Sequence, residues 1–108
     1  PSWPRRTGML LVDHRATIRG VDPEAVALLG REEKELVGRA VFEVLEADQL
    51  VHAFDEQRHA VAWTPGLLLG PAEIGVFVRW HRVRLDAGAQ PSVTLMLQER
   101  GSDAVAAA

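Results

Sequence analysis

Apolar positions follow two rhythms along this chain, and the rhythm changes at Asp22. Before it, MLLVD (Met9–Asp13) is a short apolar run, and TIRGVD (Thr17–Asp22) spaces Ile18 and Val21 among polar residues. Only HRA separates them, which predicts two strands paired as an antiparallel hairpin. After Asp22 the spacing becomes helical and broken. Asp22-Pro23-Glu24 is a helix start: the carboxylate caps free N–H groups, proline suits the first position, and glutamate complements the dipole. Ala25, Val26 and Leu29 make an inner face, and Gly30 closes the helix. Glu32 and Glu33 open a second short helix with Leu36 and Val37 inward, stopped at Gly38. In VFEVL, Phe42 and Leu45 fall three apart and point inward together.

From about Ala47 to Trp63 the spacing of Ala47, Leu50, Val51, Phe54 and Val61 predicts a longer amphipathic helix. Thr64-Pro65-Gly66 is expected to end it. A turn near Gly70-Pro71 or at Gly75 then leads into VFVRWHRVRL (Val76–Leu85), the longest strand. If Val76 and Val78 face inward, Trp80 does too, with Phe77, Arg79 and His81 on the other face. Val83 and Leu85 break that parity, which predicts a bulge near His81-Arg82 or burial on both faces. PSVTLMLQER (Pro91–Arg100) is the last strand, with Val93, Leu95 and Leu97 on one face, and GSDAVAAA reads as a first helical turn capped by Ser102. Helices in the middle and strands at both ends make the chain α+β with an antiparallel sheet. Helices this short gain stability only by packing their apolar sides on that sheet.

The stretch LLVDHRATIRGVDPEAVALLGREEKELVGRAVFEVLEADQL resembles the opening half of a PAS domain. It has an apolar strand ending in Asp13, a turn, and a second strand. Two short helices closed by Gly30 and Gly38 follow, and then Phe42 and Leu45 in the F-x-h-L segment. Asp22 stands where the family has Asn, and Ala16 where its hairpin turn has Gly. The resemblance implies a PAS-like five-stranded antiparallel sheet with short helices across one face, and a ligand cavity between the two layers. The residues expected to line it are Val26, Leu29, Phe42, Leu45, Phe54 and Trp80. The expected division is a flank over 1–8, the domain over 9–100 and the start of a linker over 101–108.

Composition narrows the chemistry. The 108 residues include no cysteine, which removes disulfides, thiolate metal sites and a cysteine nucleophile. The light-sensing flavin members of the family use a reactive cysteine, so their photochemistry is excluded. Haem-binding members commonly use a histidine on the long helix, where His52 and His59 stand; a solvent-facing role is the plainer alternative. Asp48, His52, Asp55 and His59 share a helical stripe, but it spans about 16 Å, too far for one ion. Trp63 is expected to finish the long helix rather than stack on a flavin. Asp13 and Asp22 could form an acid–base pair, against the simpler roles of turn and helix cap. There is no tyrosine, the serines are Ser2, Ser92 and Ser102, and no hydrolase, zinc-protease or phosphate-loop motif occurs. No enzymatic activity, cofactor or metal is expected.

Charge is uneven. Asp22–Glu56 carries ten acids against three bases, and Val76–Arg100 four arginines against two acids, within a net charge of −3. This speaks against nucleic acid. No apolar run approaches the ~20 residues of a membrane span, and the lack of disulfides suits the cytoplasm. Opening on Pro1, the chain is expected to be a piece of a longer signalling protein: a histidine kinase, a cyclic-nucleotide enzyme or a transcription regulator. The expected role is a sensory and interaction module that binds a small apolar or weakly polar ligand and relays it through the sheet to a fused output domain. A homodimer is expected through the outer sheet face and the flank, with Trp3 as an anchor. The alternatives are a pure homodimerisation module with a filled core and a flavin- or haem-binding sensor.

Overall fold

The computed structural model describes residues 6–48, 50–54, 63–71, 73–84 and 90–100. Strand β1 (Thr7–Val12) and strand β2 (Ile18–Val21) form the expected hairpin, with Leu10 opposite Val21 and Leu11 opposite Gly20. Helix α1 (Pro23–Leu29) starts where the Asp-Pro-Glu signal places it. The Asp22 carboxylate accepts from the Ala25 N–H at 2.8 Å, and Gly30 closes the helix in the left-handed region at φ 66°. Helix α2 (Glu33–Leu36) buries Leu36 and leaves Val37 exposed before Gly38, at φ 95°.

Among the described residues the sheet has six strands, one more than expected. β3 (Leu45–Glu46), β4 (Thr64–Leu69), β5 (Glu73–Val83) and β6 (Ser92–Glu99) complete the order β2-β1-β6-β5-β4-β3, with every pairing antiparallel. The additional strand is β3, two residues that pair with Leu67 and Leu68. Thr64-Pro65-Gly66, expected to end a helix, is the opening of β4. Pro65 sits opposite Phe77, and on its other side β3 reaches no further than Leu67, so this end of β4 is an edge, where proline is tolerated. The turn between β4 and β5 falls at Gly70-Pro71.

Three short-range expectations shift in phase. Val41–Glu43 is a 3-10 turn that buries Val41, with Val44 buried just after it, and leaves Phe42 47% exposed. Leu50–Phe54 is a 3-10 turn too, burying Leu50 and Ala53 and leaving Val51 60% exposed. Three residues per turn align i with i+3, so Val41 shares the inner face with Val44 and Leu50 with Ala53, and the i+1 residues Phe42 and Val51 turn outward. Ala47, Asp48 and Trp63 are not helical, and residues 49 and 55–62 of the expected long helix lie outside the described residues. No bulge interrupts β5: its pairing with β6 is continuous from Val76 opposite Glu99 to Val83 opposite Ser92. The parity therefore holds, Val83 faces outward, and Arg82 joins Val76, Val78 and Trp80 on the inner face.

The core lies between that face and the helical layer. Leu10 and Val12 of β1, Val76, Val78 and Trp80 of β5, and Val93, Leu95 and Leu97 of β6 meet Ala25, Leu28, Leu29, Leu36, Val41 and Leu50. No described helix is long and apolar enough to cross a membrane.

Candidate functional site

A cleft of about 150 Å³ opens where the Leu50–Phe54 turn crosses the end of the sheet. Ala53 and Phe54 form one wall. Arg82 of β5 and Val93 of β6, which pair with each other, form the floor with Pro91, and His14 and Gln90 stand at the rim. The Arg82 guanidinium donates to the carbonyl oxygens of Ala53 at 3.2 Å and His52 at 3.4 Å, tying the turn to the strand. Two residue pairs along, Trp80 stands opposite Leu95. Trp80 is only 6% exposed, and its indole N–H has no hydrogen-bond partner among the described residues.

The two aspartates of the hairpin serve the backbone. One Asp13 oxygen accepts from the Arg15 and Thr17 N–H groups, each at 2.9 Å, and the other from the Arg19 side chain at 2.9 Å. Burial alone would raise its pKa; the bonds from Thr17, Arg19 and Arg15 together outweigh that and hold it below the ordinary carboxylate value. Asp22 caps α1 and also accepts from the Met9 N–H at 3.0 Å, so it ties the helix to β1. Where β1 and β6 lie side by side, Arg6 grips Glu99 with two bonds, at 2.9 and 3.0 Å. The Arg6 side chain holds the Glu99 carboxyl below its ordinary value. Among the described residues no group of three or more His, Asp or Glu is placed to hold a metal ion. His59 and Asp55 lie outside the described residues, as does Trp3. Trp63 stands at the entry to β4.

The sequence matches the PAS fold over residues 6–64, more than half of the chain. The chain belongs to the PAS family.

Solved PAS-type structures resemble it in three dimensions. The PAS domain of an HTR-like protein from Haloarcula marismortui has 19% identity and a TM-score of 0.71, over 86% of this chain and 80% of that one. The PAS domain of nitrogen regulation protein NR(II) from Vibrio parahaemolyticus has 15% identity and a TM-score of 0.66, over 86% and 88%. A light-oxygen-voltage domain studied with a flavin analogue has 13% identity and a TM-score of 0.73, over 94% and 83%. At such identities these likenesses show the fold alone. No curated protein matches the chain.

Within this PAS domain the six expected cavity residues are not all gathered. Leu29, Leu45 and Trp80 are buried in the core, and Val26 and Phe54 are half-buried against it. Phe42 is largely outside and tilts against Phe54, with ring centroids 5.8 Å apart. Of the six, only Phe54 lines the cleft. Val93 was expected on the inner face of the last strand but not as a site residue, and alternation from Val76 through Trp80 reaches Arg82 when β5 carries no bulge.

Proposed function

We propose that this PAS domain is a sensory module that binds a small apolar or weakly polar ligand between the Leu50–Phe54 turn and the sheet. The observation that carries this is the cleft itself: Ala53, Phe54, Pro91 and Val93 give it apolar surface, Arg82 stands in its floor, and His14 and Gln90 stand at its rim. That is the usual make-up of a small-molecule site, and about 150 Å³ accommodates a benzene-sized molecule. Arg82 ties the turn to β5, so a ligand that displaces the turn also strains β5 and its neighbour β6. The signal would pass along these strands to a fused output domain in a cytoplasmic kinase, cyclic-nucleotide enzyme or transcription regulator. The domain itself would carry no catalysis. Family membership and the sensor and regulator domains among its structural neighbours support this role.

The test is calorimetric and spectroscopic. Benzene and toluene at saturation should raise the melting temperature by several degrees, with no visible absorption band in the purified domain. Ala53→Leu should fill the cleft and abolish the probe effect. A flat melting temperature with every probe would remove the sensor role, and a flavin or Soret band would replace it with a cofactor sensor.

The second reading is homodimerisation through the outer sheet face. Met9 and Leu11 of β1 are each 44% exposed there, and Met9 stands opposite Met96 in the β1–β6 pairing. Sedimentation at micromolar concentration should show a dimer that Leu11→Glu disrupts. A monomer under all conditions would remove it.

A further inference from the structure

We infer that the ligand of this cleft is a small aromatic or cyclic monocarboxylic acid, and that its carboxylate draws the Arg82 guanidinium away from the carbonyls of the Leu50–Phe54 turn. The inference rests on the cleft being a ligand site and names the polar end of that ligand.

Arg82 is the charged member of an apolar row. Ile74, Val76, Val78 and Trp80 are the other inward-facing residues of β5, and Val93 pairs with Arg82 from β6. A half-buried cation there loses part of its hydration, which an anionic ligand offsets. Its head group lies at the cleft: the side chain crosses from β5 to the carbonyl of Ala53, and Arg82 and Ala53 both line the space. The described lining adds His14 and Gln90 and contains no acid, so none of these residues repels a carboxylate. Ala53, Phe54, Pro91 and Val93 supply the apolar surface for a ring.

The bonds that the acid would replace are weak ones. One nitrogen, Nη2 of Arg82, donates to Ala53 at 3.2 Å and to His52 at 3.4 Å, at the long limit of an N–H···O bond. Both acceptors are neutral carbonyls. A carboxylate matches the guanidinium fork with two parallel bonds of about 2.7–2.9 Å, each roughly twice as strong as a neutral one. The exchange therefore favours the ligand, and it unties the turn from β5. The same carboxylate that fixes the ligand's orientation thus releases one wall of its site, so that binding is felt outside the cleft.

The experiment compares benzoate with benzamide, two rings of nearly the same shape, one anionic and one neutral at neutral pH, and with toluene as the ring alone. Affinity is read by thermal shift at fixed ionic strength. The backbone amides of Ala53 and Phe54, each next to a carbonyl that Arg82 holds, are followed by 15N–1H NMR. Benzoate should bind about tenfold more tightly than benzamide, the margin of a charge-assisted over a neutral hydrogen bond. It should also move both amides in the direction that Arg82→Met moves them without ligand. Arg82→Met should bring benzoate down to the affinity of benzamide. If that variant does not fold, Arg82→Lys, which keeps the charge but lacks the fork, should lower the preference for benzoate, and the comparison in the unmodified domain decides by itself. Benzoate binding no better than benzamide, with toluene bound, would overturn the acid and leave an apolar site. A preference for benzoate that survives Arg82→Met, or that leaves the Ala53 and Phe54 amides unmoved, would overturn the part given to Arg82. No thermal shift with any of the three would overturn the acid and the ligand site together.

Discussion

Gly8 lies directly beneath Ala25: a Cβ on Gly8 would stand 2.6 Å from the Ala25 backbone nitrogen and 2.7 Å from its Cα. The first turn of α1 thus rests on the bare backbone of β1, and nothing larger than hydrogen fits between them. Since both sides of the contact are main chain, the strain cannot be relieved by a rotamer change. Gly8→Ala should lower stability by about 3 kcal/mol, read from the urea midpoint. Gly20, the hairpin's other glycine, meets nothing nearer than Leu11 Cβ at 3.7 Å. Gly20→Ala should stay within about 0.5 kcal/mol.

Asp22 joins the same two elements from the side. One of its oxygens serves both the Ala25 and Met9 N–H groups. Asp22→Ala should cost about 2 kcal/mol, the upper end for a lost cap, because a strand N–H loses its partner as well. Asp22→Asn keeps an acceptor oxygen and should recover most of the loss in the same urea titration.

Ala16 carries the hairpin turn at φ 65°, among the described residues the sole one other than glycine with a positive φ. Its N–H reaches the Asp13 carbonyl at 3.0 Å and its carbonyl receives the Val41 N–H at 2.8 Å, so the turn is held at both ends. A Cβ in this region costs about 1–2 kcal/mol, of which its packing on the core returns a part. Ala16→Gly should raise stability by about 0.5–1 kcal/mol, seen as a higher melting temperature.

Asp13 and Glu99 both titrate below the ordinary carboxylate value in the folded chain. Their stabilisation is therefore complete above the unfolded pKa and is lost as pH falls through the lower folded values. The urea midpoint should be nearly flat from pH 7 to about 5 and should decline below about 4. Asp13→Asn and Glu99→Gln combined should flatten the acid limb. An unchanged limb would show that other carboxylates set it.

The sequence predicts best where one residue type has one physical use. Asp22-Pro23 could only begin a helix, Gly30 and Gly38 could end elements at positive φ, and the alternation of Val93, Leu95 and Leu97 could only be a half-buried strand. The site was harder to see because it depends on the pitch of short turns. Phe42 is the largest apolar side chain in its segment, yet a 3-10 turn gives the inner positions to Val41 and Val44. Val83 and Leu85 break the alternation in the sequence, which left a bulge near His81-Arg82 or burial on both faces open, so the inward place of Arg82 was not legible there. It is accommodated because carbonyls at the end of a short turn accept from its guanidinium. β3 has only two residues, and its existence is decided by β4 rather than by its own sequence.

The strand order has a consequence for how the molecule is made. β1 is bordered by β2 on one side and by β6, the last strand, on the other. A chain leaving the ribosome can close the β1–β2 hairpin early, but the other edge of β1 waits for nearly the whole domain to be synthesised. Pairings so distant in sequence slow folding, and an open apolar edge invites association meanwhile. The nascent chain therefore carries β1, with Met9 and Leu11, open along one edge until β6 is made, and its dependence on chaperones should be greatest in that interval.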